Sequence, residues 1–301
     1  MRKGTLWLVA AVTALAVAWP AGAAPEATYA IRLARAQTVG SRFAVSVKGR
    51  QHKKERVTMA GRVVTDTDTT VDVEVDAYAE VLAVDGKQQG TRMSYTIDRA
   101  QRTEKAQTTA LLARGRVVVV EHKDGHAVFT IDGERPPRNI EEALGIVISA
   151  HEPNSATDDE IFGTKDRKRV GDEWGINTEA AAKDFTSRGV KIEPQNITGA
   201  TKLVAAKTHE GVKVVELTGK LRIANMSLPL PAGAQVERSQ VEALFWGLFP
   251  QDPKATRRVA ESMLLKTGFA VRMKKPDTGE EVVVEALVEQ GHQAKFAPVK
   301  Q

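Results

Sequence analysis

The chain has 301 residues and no cysteine, with 42% hydrophobic residues to build a core without disulfides. Thiol nucleophiles, thiolate metal sites, disulfide frameworks and acylated N-terminal cysteines are thereby excluded. The formal charge of +5 is spread among interspersed basic and acidic residues. The one dense basic cluster, Lys48 to Arg56, lacks the interleaved aromatics on which nucleic-acid bases stack, so no nucleic-acid partner is expected.

Met1-Arg2-Lys3 precede an apolar run from Leu6 to Trp19, followed by Pro20-Ala21-Gly22-Ala23-Ala24. A basic start, a short apolar stretch and a small-x-small site predict a secretory signal peptide over residues 1–23, cleaved near Ala23. The run falls short of the ~20 apolar residues of a spanning helix. No later stretch reaches that length, so the mature chain is expected to have no transmembrane segment. Export without cysteine points to a periplasmic or secreted bacterial protein.

From residue 24 to 135 the dominant period is two, which predicts an N-terminal antiparallel β lobe. Thr28 to Arg35 and Ser41 to Val47 read as strands, and Lys48 to Arg56 as a solvated turn after them. Val71, Val73, Val75, Ala77, Ala79, Val81 and Ala83 share one face, while Asp72, Glu74, Asp76 and Glu80 share the other. That alternation marks a strand with one buried and one wet face, and its length points to a strongly curved sheet. Thr91, Met93, Tyr95 and Ile97 continue the pattern. Val117 to Asp132 predicts a hairpin about Asp124-Gly125, with Lys123 facing His126 and His122 facing Ala127.

Residues 136–193 change period and read as a helical insert. Asn139 with Glu142 looks like a capping box opening a helix whose stripe is Ile140, Leu144, Val147, Ile148 and His151. Thr157 with Glu160 starts a second helix ended by Gly163. Thr178 starts a third that stops at Gly189. Val170 to Trp174 predicts a turn leading into a short strand. Residues 194–290 return to period two as a C-terminal β lobe. Ala200 to Thr208 pairs with Val212 to Ile223 about Glu210-Gly211. Val236 to Phe249 fits either a strand or a helix, with strand preferred. Val259, Met263, Leu265, Phe269, Val271 and Met273 alternate along another long strand, which Pro276 to Gly279 turns into Glu281 to Glu289. Residues 291–301 read as a flexible tail. The expected fold class is α+β, mostly β, with long curved half-barrel-like antiparallel sheets against a few helices. Two lobes sharing the insert are preferred over one sheet.

The serine-hydrolase elbow, the zinc-protease helix motif and both glycine-rich nucleotide loops are missing. No catalytic residue, metal ligand or cofactor is assigned. His122 and His126 point to opposite faces of their hairpin. His151 reads as a helix-end residue, His52 and His209 as turn residues, and His292 as part of the tail. Asp158, Asp159 and Glu160, near Glu152, read as first-turn carboxylates that complement a helix dipole rather than as a cation site. Asp172 and Glu173 read as turn residues. The remaining feature is aromatic crowding: Phe245, Trp246 and Phe249 lie within five positions, and Trp174 and Phe185 flank the third helix. These five are the candidate ligand-binding residues, with ordinary core as the alternative.

The exported cysteine-free start, the long meandering strands, the Val71 to Val75 alternation and the Val170-Gly171-Asp172-Glu173-Trp174 stretch give a layout that resembles the periplasmic lipoprotein-carrier type of half-barrel. The resemblance implies a curved sheet wrapped around helices and sheltering acyl chains. It carries over no individual residue. A non-enzymatic envelope protein that binds a hydrophobic small molecule or lipid is therefore expected. The alternative is an interaction or scaffold module whose partner is another envelope protein.

Overall fold

The computed structural model describes residues 27–299 apart from 124, 188–189, 227–229, 231–232 and 276. The expected signal peptide and its cleavage site, Asp124 of the first hairpin turn and the Gly189 helix stop lie outside the described residues.

Twelve strands form one antiparallel sheet that does not close into a barrel. They are β1 (Arg42–Met59), β2 (Arg62–Val84), β3 (Gly90–Glu104), β4 (Gln107–Leu112), β5 (Val117–Lys123), β6 (His126–Ile131), β7 (Glu173–Gly175), β8 (Ile197–His209), β9 (Val212–Ala224), β10 (Gln235–Pro250), β11 (Ala260–Lys274) and β12 (Glu281–Pro298). The order is β6-β5-β3-β2-β1-β12-β11-β10-β9-β8-β7, with β4 beside β3. The expected hairpins β5–β6, β8–β9 and β11–β12 form, and β5–β6 has the expected register, Lys123↔His126 and His122↔Ala127. The β8–β9 turn places both Glu210 and Gly211 at positive φ, 48° and 82°, as a two-residue turn matched to strand twist requires. Val236 to Phe249 is strand, inside β10.

The two strand-rich stretches join where the first strand meets the last. β1 pairs with β12 from Phe43↔Pro298 to Met59↔Val282, so one sheet runs through both halves. Residues 291–298, expected as a tail, are the second half of β12. Its partners are the N–H and C=O groups along one edge of β1, which would otherwise lack them. Lys48 to Arg56 is likewise strand rather than turn. Its basic side chains face the acidic row of β2: Lys48 with Glu74 at 2.8 Å, Arg50 with Asp72 at 2.6 Å, and Arg56 with Asp66 at 2.8 Å. Exposed pairs of this kind contribute about 0–1 kcal/mol each. Their effect here is to neutralise the cluster. Thr28 to Arg35 makes no ladder beyond a single Tyr29↔Lys168 bridge. Its alternation reports an extended chain that buries Ile31 and Leu33.

Three helices pack on one face of the sheet, called the inner face below. α1 (Arg138–Leu144) buries Ala143 and Leu144 in the cluster that also holds Val45, Val47, Val73 and Val75. α2 (Asp158–Phe162) and α3 (Thr178–Ser187) cover Ile197, Leu221, Ile223 and Val241. Thr157 and Glu160 start α2 as expected, and they do so through a capping box. α1 does not open on Asn139: Pro137 is its N-cap, no side chain caps it, and the helix ends at Leu144. Val147 and Ile148 belong instead to a strap, residues 145–151, that crosses the inner face. Glycine at position 49 makes the crossing possible, because a Cβ there would lie 2.6 Å from Val147 Cγ1 and 2.7 Å from Ile146 Cγ2. Gly49→Val is expected to cost about 1–3 kcal/mol by overpacking. Limited proteolysis should then cut within residues 145–151 before the sheet; unchanged protection would mean that the strap yields without detaching.

Candidate ligand-binding cleft

Directly paired residues of neighbouring strands project to the same face. The register therefore assigns Val45, Val47 and Gly49 of β1, Val288, Gln290, His292 and Ala294 of β12, Glu261, Met263 and Leu265 of β11, and Ala243 and Phe245 of β10 to the inner face. The strap and α1 cover its β1 side, and α2 and α3 its β9 side. Between them the floor is open. Met263 and Leu265 are 41% and 37% exposed, although both stand in the middle of a wide sheet. The same face continues down β11 and β12 as Phe269↔Ala286, Val271↔Val284 and Met273↔Val282, with Val57 and Met59 of β1 beside them.

The upper end of this floor is a cleft of about 440 Å³, walled by the strap and closed by the β10–β11 loop and the Arg35–Gln37 segment. The strap is held at several points. Tyr95 Oη donates to Ser149 O at 3.1 Å, His151 N to Gly90 O at 2.8 Å and Gln290 Nε2 to Gly145 O at 3.3 Å; His122 Nε2 lies 3.1 Å from Ala150 O. Burial pushes the Tyr95 hydroxyl above its ordinary pKa, so it stays a neutral donor.

Charge concentrates at the closed end. Arg258 donates to Asp158 at 2.9 Å and pairs with Glu261, and His292 lies 3.8 Å from the same carboxylate. Burial raises the pKa of Glu261, but Arg258 and His292 outweigh it and hold the group down at about 2. Arg35 is buried, and burial lowers its pKa; its guanidinium donates to Asp252 O, Pro250 O and Arg32 O. Arg257 differs. Its guanidinium lies 3.6 Å from the centre of the Phe43 ring, its Nη1 is buried without a hydrogen-bond partner, and among the described residues no carboxylate pairs with it. Burial alone pulls its pKa down to about 10.

The five aromatic candidates do not line this cleft. Phe249 is 2% exposed and packs with Ile31, Leu33, Leu203 and Leu217, with Phe245 and Trp174 at the margin of that cluster. Trp174 Nε1 donates to Phe162 O at 2.9 Å. Phe185 belongs to α3 itself and packs, partly buried, against the cluster that holds Ile197 and Ile223. Trp246, next to Phe245 in an extended strand, necessarily points to the outer face, where it packs near Val214 and Leu248 and donates to Glu216 at 2.7 Å. Of the five, Phe245 alone borders the open floor: it is paired with Met263 and half-buried, its ring filling the space above Gly219.

His122 and His126 take opposite faces as expected, whereas His151 and His292 both line the cleft. The first-turn carboxylates of α2 all have protein partners: Asp158 has Arg258, Asp159 accepts from Leu33 N at 2.7 Å, and Glu160 meets Lys87 at 2.6 Å. Sequence reading missed Arg257 and Glu261. A signal for Glu261 was present, because it falls in phase with Val259, Met263 and Leu265, a carboxylate on an apolar face.

No family model matches the chain, and no curated protein matches it. Among solved structures it is similar to lipovitellin, described through its lipid–protein interactions, with a TM-score of 0.37 and 7% identity over 88% of this chain and 26% of that one. It is also similar to an outer membrane channel from Pseudomonas putida F1 (TM-score 0.21, 9% identity, 87% of this chain and 97% of that one). Pseudomonas aeruginosa OpdQ follows with a TM-score of 0.19 and 6% identity over 86% of this chain and 98% of that one. Superpositions this loose carry no assignment of function, so ligand chemistry is read from this chain's own residues. Among the described residues no helix is long and apolar enough to cross a membrane.

Proposed function

We propose that this is an exported, non-enzymatic envelope protein that shelters the acyl chain of a lipid against the inner face of its open sheet. The observation that carries the reading is the uncovered apolar floor. Met263 and Leu265 are exposed at the centre of the sheet, Phe245 and Val288 flank them, and the apolar pairs of β11 and β12 continue below. Water over such a stripe is costly. Roughly ten methylenes withdrawn from water supply about 8 kcal/mol, before the costs of association are subtracted. The cleft volume of about 440 Å³ lies within the range of small-molecule sites.

Mass spectrometry of organic extracts tests this, using protein purified from a bacterial periplasm against a protein-free control. A stoichiometric lipid or other long-chain molecule is expected. An empty extract from well-folded protein would overturn the reading in favour of a protein-binding module.

A further inference from the structure

Three arginines line the cleft, and their engagement differs. Arg35 gives its two Nη groups to backbone carbonyls and, although its Nε meets no acceptor, has the carboxylates of Asp159 and Asp252 near it; Arg258 is locked between Asp158 and Glu261. The guanidinium carbon of Arg257 lies 3.6 Å from the centre of the Phe43 ring, which supports the cation through its face. Its buried Nη1 meets no acceptor in the protein. A positive charge kept partly out of water without a counter-charge is destabilising to the empty protein. The depressed pKa of Arg257 is the same cost seen from the proton's side.

We infer that Arg257 is the head-group anchor of the cleft and that the ligand is a long-chain fatty acid, its carboxylate paired with the guanidinium that lines the cleft and its chain over Met263 and Leu265. This rests on the lipid-sheltering reading above and names its ligand class. Three observations favour a fatty acid. A planar carboxylate matches the planar fork of a guanidinium. One uncompensated cation in the cleft asks for one negative charge. A cleft of about 440 Å³ is small for a two-chain phospholipid with its head group.

The test uses delipidated full-length protein and two probes of equal chain length, palmitate and hexadecanol, titrated by calorimetry against wild type and Arg257→Met. Palmitate should bind wild type tightly, and the variant should lose about 10–100-fold for palmitate, the range for a charged hydrogen bond. Hexadecanol affinity should be weaker and the same in both proteins. The melting temperature of the empty variant should rise, because the unpaired charge is gone; loss of binding then cannot be blamed on misfolding. Arg257→Lys keeps the charge without the fork and should restore only part of the palmitate affinity.

Equal binding of palmitate and hexadecanol by wild type would overturn the head-group inference while leaving the apolar floor in place. Binding of phospholipid vesicles but of neither probe would overturn the fatty-acid ligand. Failure to bind any of the three would overturn the lipid reading itself.

Discussion

Glu261→Gln is expected to lower stability by about 3–5 kcal/mol at pH 7 and to flatten the acid limb of the stability–pH profile. The carboxylate sits between Arg258 and His292, with a side chain only 21% exposed. Its pKa falls from an ordinary 4.5 to about 2 in the fold. Below 4.5 the unfolded chain takes up the proton that the folded chain refuses, so the stabilisation is complete above about pH 4.5. It drains away as the pH falls towards 2. At ~1.4 kcal/mol per pH unit this window is worth about 3 kcal/mol. The variant also leaves Arg258 with Asp158 as its sole acidic partner, and breaking a buried pair costs about 3–5 kcal/mol. Urea unfolding at pH 7 and pH 3 measures both effects. Wild type should lose about 2 kcal/mol more than the variant between the two, the variant's own loss coming from other carboxylates held below their ordinary range, such as Glu160 and Glu216. If the variant keeps the acid sensitivity of wild type, the acid-labile group lies elsewhere.

Phe249→Ala is the second large effect. The ring is 2% exposed and touches Ile31 and Leu33 of the N-terminal segment as well as Leu203, Val215 and Leu217 of β8 and β9. Removing it leaves a cavity between layers that are fixed by ladder hydrogen bonds and cannot collapse. Such a truncation costs about 3–5 kcal/mol, and for a chain of this size the melting temperature should fall by roughly 10 °C. Ligand retention below the new melting point should be unchanged, since Phe249 faces packed core rather than the cleft. Full stability with loss of ligand would instead return Phe249 to the ligand-contact role its sequence neighbourhood first indicated.

The register of local elements was readable. Val73, Val75, Ala77, Ala79 and Val81 are buried as their alternation demanded. The Glu210-Gly211 turn and the Thr157–Glu160 helix start sit where their residue types required them. Each is decided within a few residues of chain, by side-chain alternation, positive φ or a cap. The same locality explains the errors. Lys48 to Arg56 looked like a turn because its acidic partners lie in the next strand, and α1 looked longer because Val147 and Ile148 happen to continue a helical stripe across Gly145.

By itself, then, the sequence determined a cysteine-free, mostly β chain of long one-sided strands with a short helical insert, because burial alternation and turn chemistry are local properties. Only the tertiary structure decided that β1 meets β12, since any strand edge offers the same N–H and C=O groups and the choice of partner is made across more than 200 residues of chain. It also decided the site. Arg257, Phe43 and His292 are remote in sequence, and they become a cleft when the first, last and penultimate strands lie side by side and the helices leave the floor between them uncovered.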